Sequence, residues 1–256
     1  MIFDTHAHYD DTAFDPDRDE LLSSLPAKGI FRVVNVTASE ESLTSSPALA
    51  HRYEHVYTSA GLHPTEIYDL DISVLSRVEE LCLDDKTVAI GEIGLDYHYP
   101  DTDTVKQKEF FEAQLDLARR VKMPVIIHSR DAAKDTMDIL KSYHAGDIGG
   151  VVHCYSYSPE MAEEYAGMGL YIGVGGVVTY KNGRRLKETV ERLPLESIVI
   201  ETDCPYLSPE PRRGQRNSSL NLSHVVSGIA QLKGMKMQEV EDITLDNAMK
   251  LYRMTE

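Results

Sequence analysis

Short apolar, β-branched runs recur along the chain at residues 2–5, 30–36, 56–60, 88–93, 124–128, 150–153, 170–174 and 198–201. Most are unbroken rather than alternating, the pattern of strands covered on both faces. Between them lie longer stretches with apolar residues at helical spacing, at 17–27, 39–52, 71–83, 105–121, 131–143, 159–167, 184–193 and 222–233. In 71–83 the stripe is Ile72, Leu75, Val78, Leu81 and Cys82; in 105–121 it is Phe110, Phe111, Leu115, Leu117 and Ala118. Ser39, Asp71 and Ser158-Pro159 are helix starts, because their side chains or rings suit the first turn. Residues 238–253 close the chain with one or two further helices. No sequence repeat and no Pro/Gly-rich linker divides the chain. Eight strand–helix alternations predict an α/β fold, a (β/α)8 TIM barrel, with 1–256 as a single domain. No GxGxxG follows the first run, which removes the main dinucleotide reading.

Composition narrows the class. The 256 residues are 42% hydrophobic and 27% charged, enough to bury a core and too apolar for general disorder. No apolar run is long enough to span a membrane, and the N-terminus lacks the basic-then-apolar pattern of a secretory signal. Cys82, Cys154 and Cys204 are scattered and form no disulfide framework, so a reducing, cytoplasmic setting is expected. The net charge of −16 argues against general affinity for nucleic acid or anionic membrane. It leaves room for acids that hold metal.

The residues that carry chemistry fall at the C-terminal ends of the runs, where barrel enzymes build their sites. His6-Ala7-His8 closes the first run, His63 follows the third, and Glu92 ends the fourth. His128 ends the fifth, His153 the sixth, and Asp203 follows the eighth. Residues i and i+2 on a strand share a face, so His6 and His8 can grip one cation. A lone histidine at a strand end is more often a packed or hydrogen-bonded residue. Six imidazoles and carboxylates on five strands are a different matter. His6, His8, Glu92, His128, His153 and Asp203 exceed the needs of one catalytic metal and suit two divalent cations, with Glu92 as the bridge. Such a pair can clamp the attacking and leaving oxygens of a phosphoryl displacement. His51, His55, His98, His144 and His224 fall outside this pattern and are expected at the surface, with His98 near enough to the Glu92 strand end to meet substrate. Cys154 and Cys204 follow ligands directly and are expected in the core on the helix side.

The same residues carry a family resemblance. Asp4-Thr5-His6-Ala7-His8, Gly61-Leu62-His63-Pro64, Gly91-Glu92-Ile93-Gly94-Leu95-Asp96-Tyr97, Pro124 to Asp131, Val152 to Ser156 and Glu201 to Leu207 run in order across nearly the whole chain. In these segments the sequence resembles the TatD family of metal-dependent deoxyribonucleases, within the amidohydrolase-like barrel enzymes. The resemblance implies a (β/α)8 barrel, one or two divalent metals (Mg²⁺, Mn²⁺ or Zn²⁺), and hydrolysis of phosphodiester bonds in DNA as a 3'-5' exonuclease. The implied ligands match His6, His8, Glu92, His128, His153 and Asp203 position by position. Two stretches depart from the family pattern. Tyr157 stands where the family often has Gly, and Ser218-Ser219 stands where Glu-Pro is usual. Neither is a ligand position, so both bear on substrate preference.

Roles follow from these placements. Asp203, beside a metal-activated water, is the expected general base as well as a ligand, and Glu92 bridges. His63 is free to hydrogen-bond the phosphate or leaving group, or else fixes its loop before Pro64. Arg130, two residues past His128, is placed to hold a phosphate or to pair with Asp131 or Asp135. Lys181, Arg184, Arg185, Arg212, Arg213 and Arg216 follow the last two runs and predict a basic rim for DNA single strands or ends. Tyr155, Tyr157, Tyr180 and Tyr206 are candidates for base stacking. The competing expectations are ester hydrolysis on D-aminoacyl-tRNA or another amidohydrolase-type substrate, and a non-catalytic metal-dependent binding protein. Related barrel hydrolases often bridge their metals with a modified Lys on the fourth strand; here that position is Glu92.

Overall fold

The apolar runs become eight parallel strands that pair in chain order: β1 (Ile2–Ala7), β2 (Ile30–Asn35), β3 (Val56–Ala60), β4 (Thr87–Asp96), β5 (Val125–Arg130), β6 (Gly150–Val152), β7 (Tyr171–Val174) and β8 (Ile198–Ile200). The structure is a computed structural model and describes residues 1–255. The seam between β8 and β1 is joined by one bridge, Ala7 to Cys204. On either side of it the Asp203 N–H donates to the His6 carbonyl and the His8 N–H to the Cys204 carbonyl, both at 2.9 Å. The barrel therefore closes beside three of the predicted ligands. The expected (β/α)8 architecture is the one found.

The outer layer comprises α1 (Arg18–Ser24), α2 (Ser42–Arg52), α3 (Leu75–Leu81), α4 (Thr104–Val121), α5 (Ala133–Ser142), α6 (Ala145–Ile148), α7 (Pro159–Gly167), α8 (Arg184–Arg192), α9 (Leu222–Lys233) and α10 (Met237–Leu251). α6 was not expected; a single turn is too short to show a periodic stripe. The stretch 17–27 breaks at Ser24 because Pro26 has no N–H to continue the ladder, and a 3₁₀ turn, Pro26–Lys28, follows. In 71–83, Asp71 accepts the Ser73 N–H at 2.9 Å and caps a 3₁₀ turn before α3 begins.

A large apolar layer packs the helices against the outside of the strands. A smaller cluster joins Phe3, Val34, Ala89, Ile126, Val151 and Val199 to Ala248 and Leu251 of α10 and to Tyr252 just past its end. Ile126, Val151 and Val199 lie two residues before His128, His153 and Glu201, so they share the inward face with them. This cluster forms an apolar floor beneath the polar mouth. β4 runs three residues further than its apolar run, to Asp96. Gly94 permits that extension: its φ is +142°, and a Cβ there would lie 2.0 Å from the His128 carbonyl oxygen.

Candidate metal centre

Glu92 is the centre of the constellation. It is 3% exposed, and its charged partners among the described residues are all histidines. Its Oε2 faces His6 Nε2 at 3.3 Å and His8 Nε2 at 4.0 Å. Its Oε1 faces His128 Nδ1 at 2.7 Å, His153 Nε2 at 2.9 Å and His63 Nε2 at 3.7 Å. Asp203 completes the first group, with Oδ1 3.4 Å from His8 Nε2 and 3.7 Å from His6 Nε2. All six residues expected as ligands, and His63, thus meet at one end of the barrel.

The donors suit divalent cations. Without a cation, a buried carboxylate needs charged histidines around it, and those histidines then cannot ligate. Burial alone would raise the Glu92 carboxyl, but the charges of His153 and His6 outweigh it and hold it well below the usual range. Burial would likewise depress His8, but its hydrogen bond to Asp203 and the nearby carboxylate charges lift it to about 9. Divalent cations would replace those protons and leave the imidazoles as neutral ligands. His8 and Asp203 group with His6, and His63 and His128 with Glu92, as sets whose donor atoms lie within 4.8 Å of one another.

Neighbouring contacts set the ring orientations. His8 Nδ1 donates to the Val36 carbonyl at 3.0 Å, which turns Nε2 toward the site. His63 is held in a similar way. Its Nδ1 lies 2.8 Å from the Thr65 hydroxyl and 3.2 Å from the Thr65 N–H, which turns Nε2 toward Glu92. Burial and then the charge of His128 push the His63 imidazole down to about 3, so it stays neutral. His63 therefore presents an uncharged imidazole Nε2 to the site. His128 is held between Glu92 and Asp96, with Nε2 3.1 Å from Asp96 Oδ2.

Three contributors were missed from the sequence. Asp96 lies at i+4 from Glu92, beyond the end of the apolar run, and only the extended strand brings it to His128. Gln107 and Gln114 of α4 are buried. Gln107 accepts the Asp96 N–H at 2.8 Å, and Gln114 accepts the Leu62 N–H at 2.9 Å and donates to the Leu62 carbonyl at 3.2 Å. They clamp the end of β4 at Asp96 and the loop that carries His63. The available signal was two glutamines on the apolar side of an otherwise regular stripe.

The centre opens into a cavity of about 680 Å³. Arg130 lines it and forms no ion pair among the described residues. Its expected partners are engaged elsewhere: Asp131 with His98 at 3.0 Å and Asp135 with Lys108 at 2.6 Å. The basic rim is not drawn together at the cavity. Lys181 and Arg213 do not line it, because the loops after β7 and β8 fold onto each other. There the Glu210 N–H donates to Thr179 Oγ1 at 2.8 Å, and the Arg213 guanidinium lies 4.3 Å from the Tyr180 ring centroid. Arg216 pairs with Asp17 at 2.6 Å. The cavity wall instead carries Asp10, Asp11, Glu41 and Glu66.

The tyrosines also sort differently from expectation. Tyr155 and Tyr180 are buried and donate to the Ser158 and Ser208 carbonyls. The Tyr157 hydroxyl bonds Ser129 Oγ at 3.0 Å and accepts the Ala132 N–H at 3.2 Å, tying the β6 loop to the β5 loop. Tyr206 remains at the cavity, 57% exposed, and Tyr99, which the sequence reading passed over, joins it at 53%. Ser219 donates to Asp4 Oδ2 at 2.6 Å, so this departure from the family pattern braces β1. Cys204 is buried as expected, whereas Cys154 is only partly so. β6 ends at Val152 and Cys154 has φ +45°, so strand alternation no longer governs its direction. Of the histidines expected at the surface, His55 and His224 are half-buried and the other three exposed.

The family described as TatD related DNase matches residues 3–253. A Bacillus subtilis protein named uncharacterized metal-dependent hydrolase YabD is 40% identical over 254 residues, covering 99% of this chain and 100% of that protein. A Rahnella protein named 3'-5' ssDNA/RNA exonuclease TatD is 30% identical over 99% of each chain. Among solved structures, the Escherichia coli TatD homologue YjjV superimposes with a TM-score of 0.93 at 30% identity, covering 99% of this chain and 98% of its own.

Proposed function

The chain belongs to the TatD family of metal-dependent hydrolases, and from that premise we propose that it is a divalent-metal-dependent deoxyribonuclease. It removes nucleotides from single-stranded ends as a 3'-5' exonuclease, using two divalent cations held by His6, His8, Glu92, His128, His153 and Asp203. One observation carries this reading: the two oxygens of Glu92 face different histidine groups, His6 and His8 on one side, His128 and His153 on the other. A carboxylate so divided would help either histidine group to hold a cation. The name of the Rahnella relative supports nucleic-acid ends as substrate.

Bound divalent cations polarise phosphoryl oxygens and bring the proton loss of a water near neutral pH. The chain supplies the rest. Asp203 takes the water's proton; in the metal-free chain burial would raise its carboxyl, but its hydrogen bond with His8 holds it below the ordinary carboxylate range, and bound cations would take over that role from the histidine protons. His63 donates its Nε2–H to a phosphoryl or leaving oxygen. Arg130 pairs with the phosphate, and Tyr99 and Tyr206 offer stacking faces for unpaired bases, each worth about 1–3 kcal/mol. Tyr99→Ala is expected to raise KM for single-stranded DNA about tenfold or more while leaving kcat within twofold, read from steady-state kinetics.

A second reading is favoured by the acidic wall. Asp10, Asp11, Glu41 and Glu66 suit an ammonium group, as an aminoacyl ester carries. A panel of single-stranded DNA, duplex DNA, RNA and D-aminoacyl-tRNA, each with Mg²⁺, Mn²⁺ and Zn²⁺, tests both. Chelator-sensitive release of nucleotides from single-stranded ends is the expected result. Ester cleavage without nuclease action would replace the first reading with the second.

A further inference from the structure

Beneath the ligand layer lies a carboxylate that the proposed chemistry leaves unused. Glu201 follows β8, is 1% exposed, and shares the inward face with Val199 of the apolar floor. Its only ion-pair-range neighbour among the described residues is His153, whose Nδ1 lies 3.6 Å from Glu201 Oε1. That oxygen accepts the Cys154 N–H at 2.5 Å. The other oxygen, Oε2, is buried without a hydrogen-bond partner, and so are the Nδ1 atoms of His6 and His153. A ring nitrogen of each histidine and a Glu201 oxygen lie within 4.8 Å of one another.

The two rings are stacked, with centroids 3.8 Å apart and planes inclined by 12°. Both turn Nε2 toward Glu92, His6 to Oε2 at 3.3 Å and His153 to Oε1 at 2.9 Å. An imidazole that offers its Nε2 lone pair to a cation carries its proton on Nδ1. A buried Nδ1–H then needs an acceptor, because an unpaired polar group in the interior is costly. Glu201 has two oxygens for two such protons. The chain also keeps space for it: a Cβ on Gly173 would lie 2.4 Å from Glu201 Oε2.

We propose that Glu201 is a positioning residue shared by both halves of the centre, accepting the Nδ1–H of His153 and, across a buried water, that of His6. It thereby presents both Nε2 lone pairs to the cations. The inference rests on the metal reading above, and its test separates the two. In zinc-loaded protein, ¹⁵N NMR of the histidine rings is expected to show His6 and His153 protonated on Nδ1 and ligating through Nε2. A proton on Nε2 of either ring overturns the inference without any variant. Glu201→Gln keeps an oxygen for the Cys154 N–H but turns an NH₂ toward one of the rings. Zinc affinity, measured by competition with a chromophoric chelator, is expected to fall about 10–100-fold, with one Nδ1–H signal lost. Glu201→Asp, which retains the charge, is expected to recover part of that loss. A folded Glu201→Gln protein with parental zinc affinity and both Nδ1–H signals overturns the inference alone. A parent that takes up no zinc, Mn²⁺ or Mg²⁺ overturns the metal reading with it.

Discussion

Asp203 has φ +55°, a left-handed conformation that few residues other than glycine adopt and that recurs at functional sites. The surrounding bonds hold it there: its N–H donates to the His6 carbonyl at 2.9 Å, and its carboxylate reaches His8. Asp203→Asn keeps the shape but cannot take a proton and is a poor ligand. Turnover is expected to fall about 10²–10⁴-fold with the melting temperature retained; near-parental turnover of a folded variant would assign the base elsewhere. His8 makes a second prediction at this scale. Its pKa in the metal-free protein is raised to about 9, so it is charged at neutral pH. The stabilisation from its pairing is fully present below the unfolded value of about 6.5. It is lost as pH rises through about 9. A cation must displace that proton. Metal uptake near pH 7 is therefore expected to release at least one proton per chain, read by calorimetry in buffers of different ionisation enthalpy. A heat independent of the buffer would remove this account of His8.

At the scale of elements, α4 does more than cover the barrel. Its apolar stripe, with Phe110, Phe111, Leu115, Leu117 and Ala118, is the one expected from spacing. Gln107 and Gln114 add a polar function to the buried side, anchoring the backbone beside His63 and Asp96. Gln114→Leu would leave the Leu62 N–H and carbonyl buried and unpaired, at about 1–3 kcal/mol each. Denaturant unfolding is expected to show a loss of about 2–6 kcal/mol. Because the Leu62 backbone positions His63, kcat is expected to fall as well; an unchanged midpoint would mean that water replaces the amide. The loops after β7 and β8 show the opposite case. Their charges were legible in the sequence, but their mutual latch, including the Tyr180 hydroxyl on the Ser208 carbonyl at 2.8 Å, directs them away from the cavity.

Over the whole molecule, net charge and local charge have to be read together. The chain carries −16, and the cavity presents Arg130 against Asp10, Asp11, Glu41 and Glu66. Each phosphate contact contributes about −0.7 to the slope of log K against log salt for single strands. With Arg130 as the main contact, a slope of about −1 is expected, shallower than the −2 or −3 that a full basic rim would give. Arg130→Ala should flatten it and Arg212→Ala/Arg213→Ala should not, as KM for a short oligonucleotide at several salt concentrations will show. A flattened slope in the double variant would restore the rim. The barrel itself was legible in the sequence, because buried parallel strands must be continuously apolar and amphipathic helices must repeat at helical spacing, whatever their neighbours. The coincidence of imidazoles and carboxylates at strand ends was equally legible, since strand polarity alone puts those ends on one face. Asp96, Gln107, Gln114, Tyr99 and Glu201 were not, because each acts through a partner distant in sequence or through a strand end that periodicity does not mark. Which of the loop arginines and tyrosines face the cavity was likewise decided by loop-on-loop packing. Local pattern determines what a segment becomes; only the folded chain determines which side chains its loops and strand ends bring together.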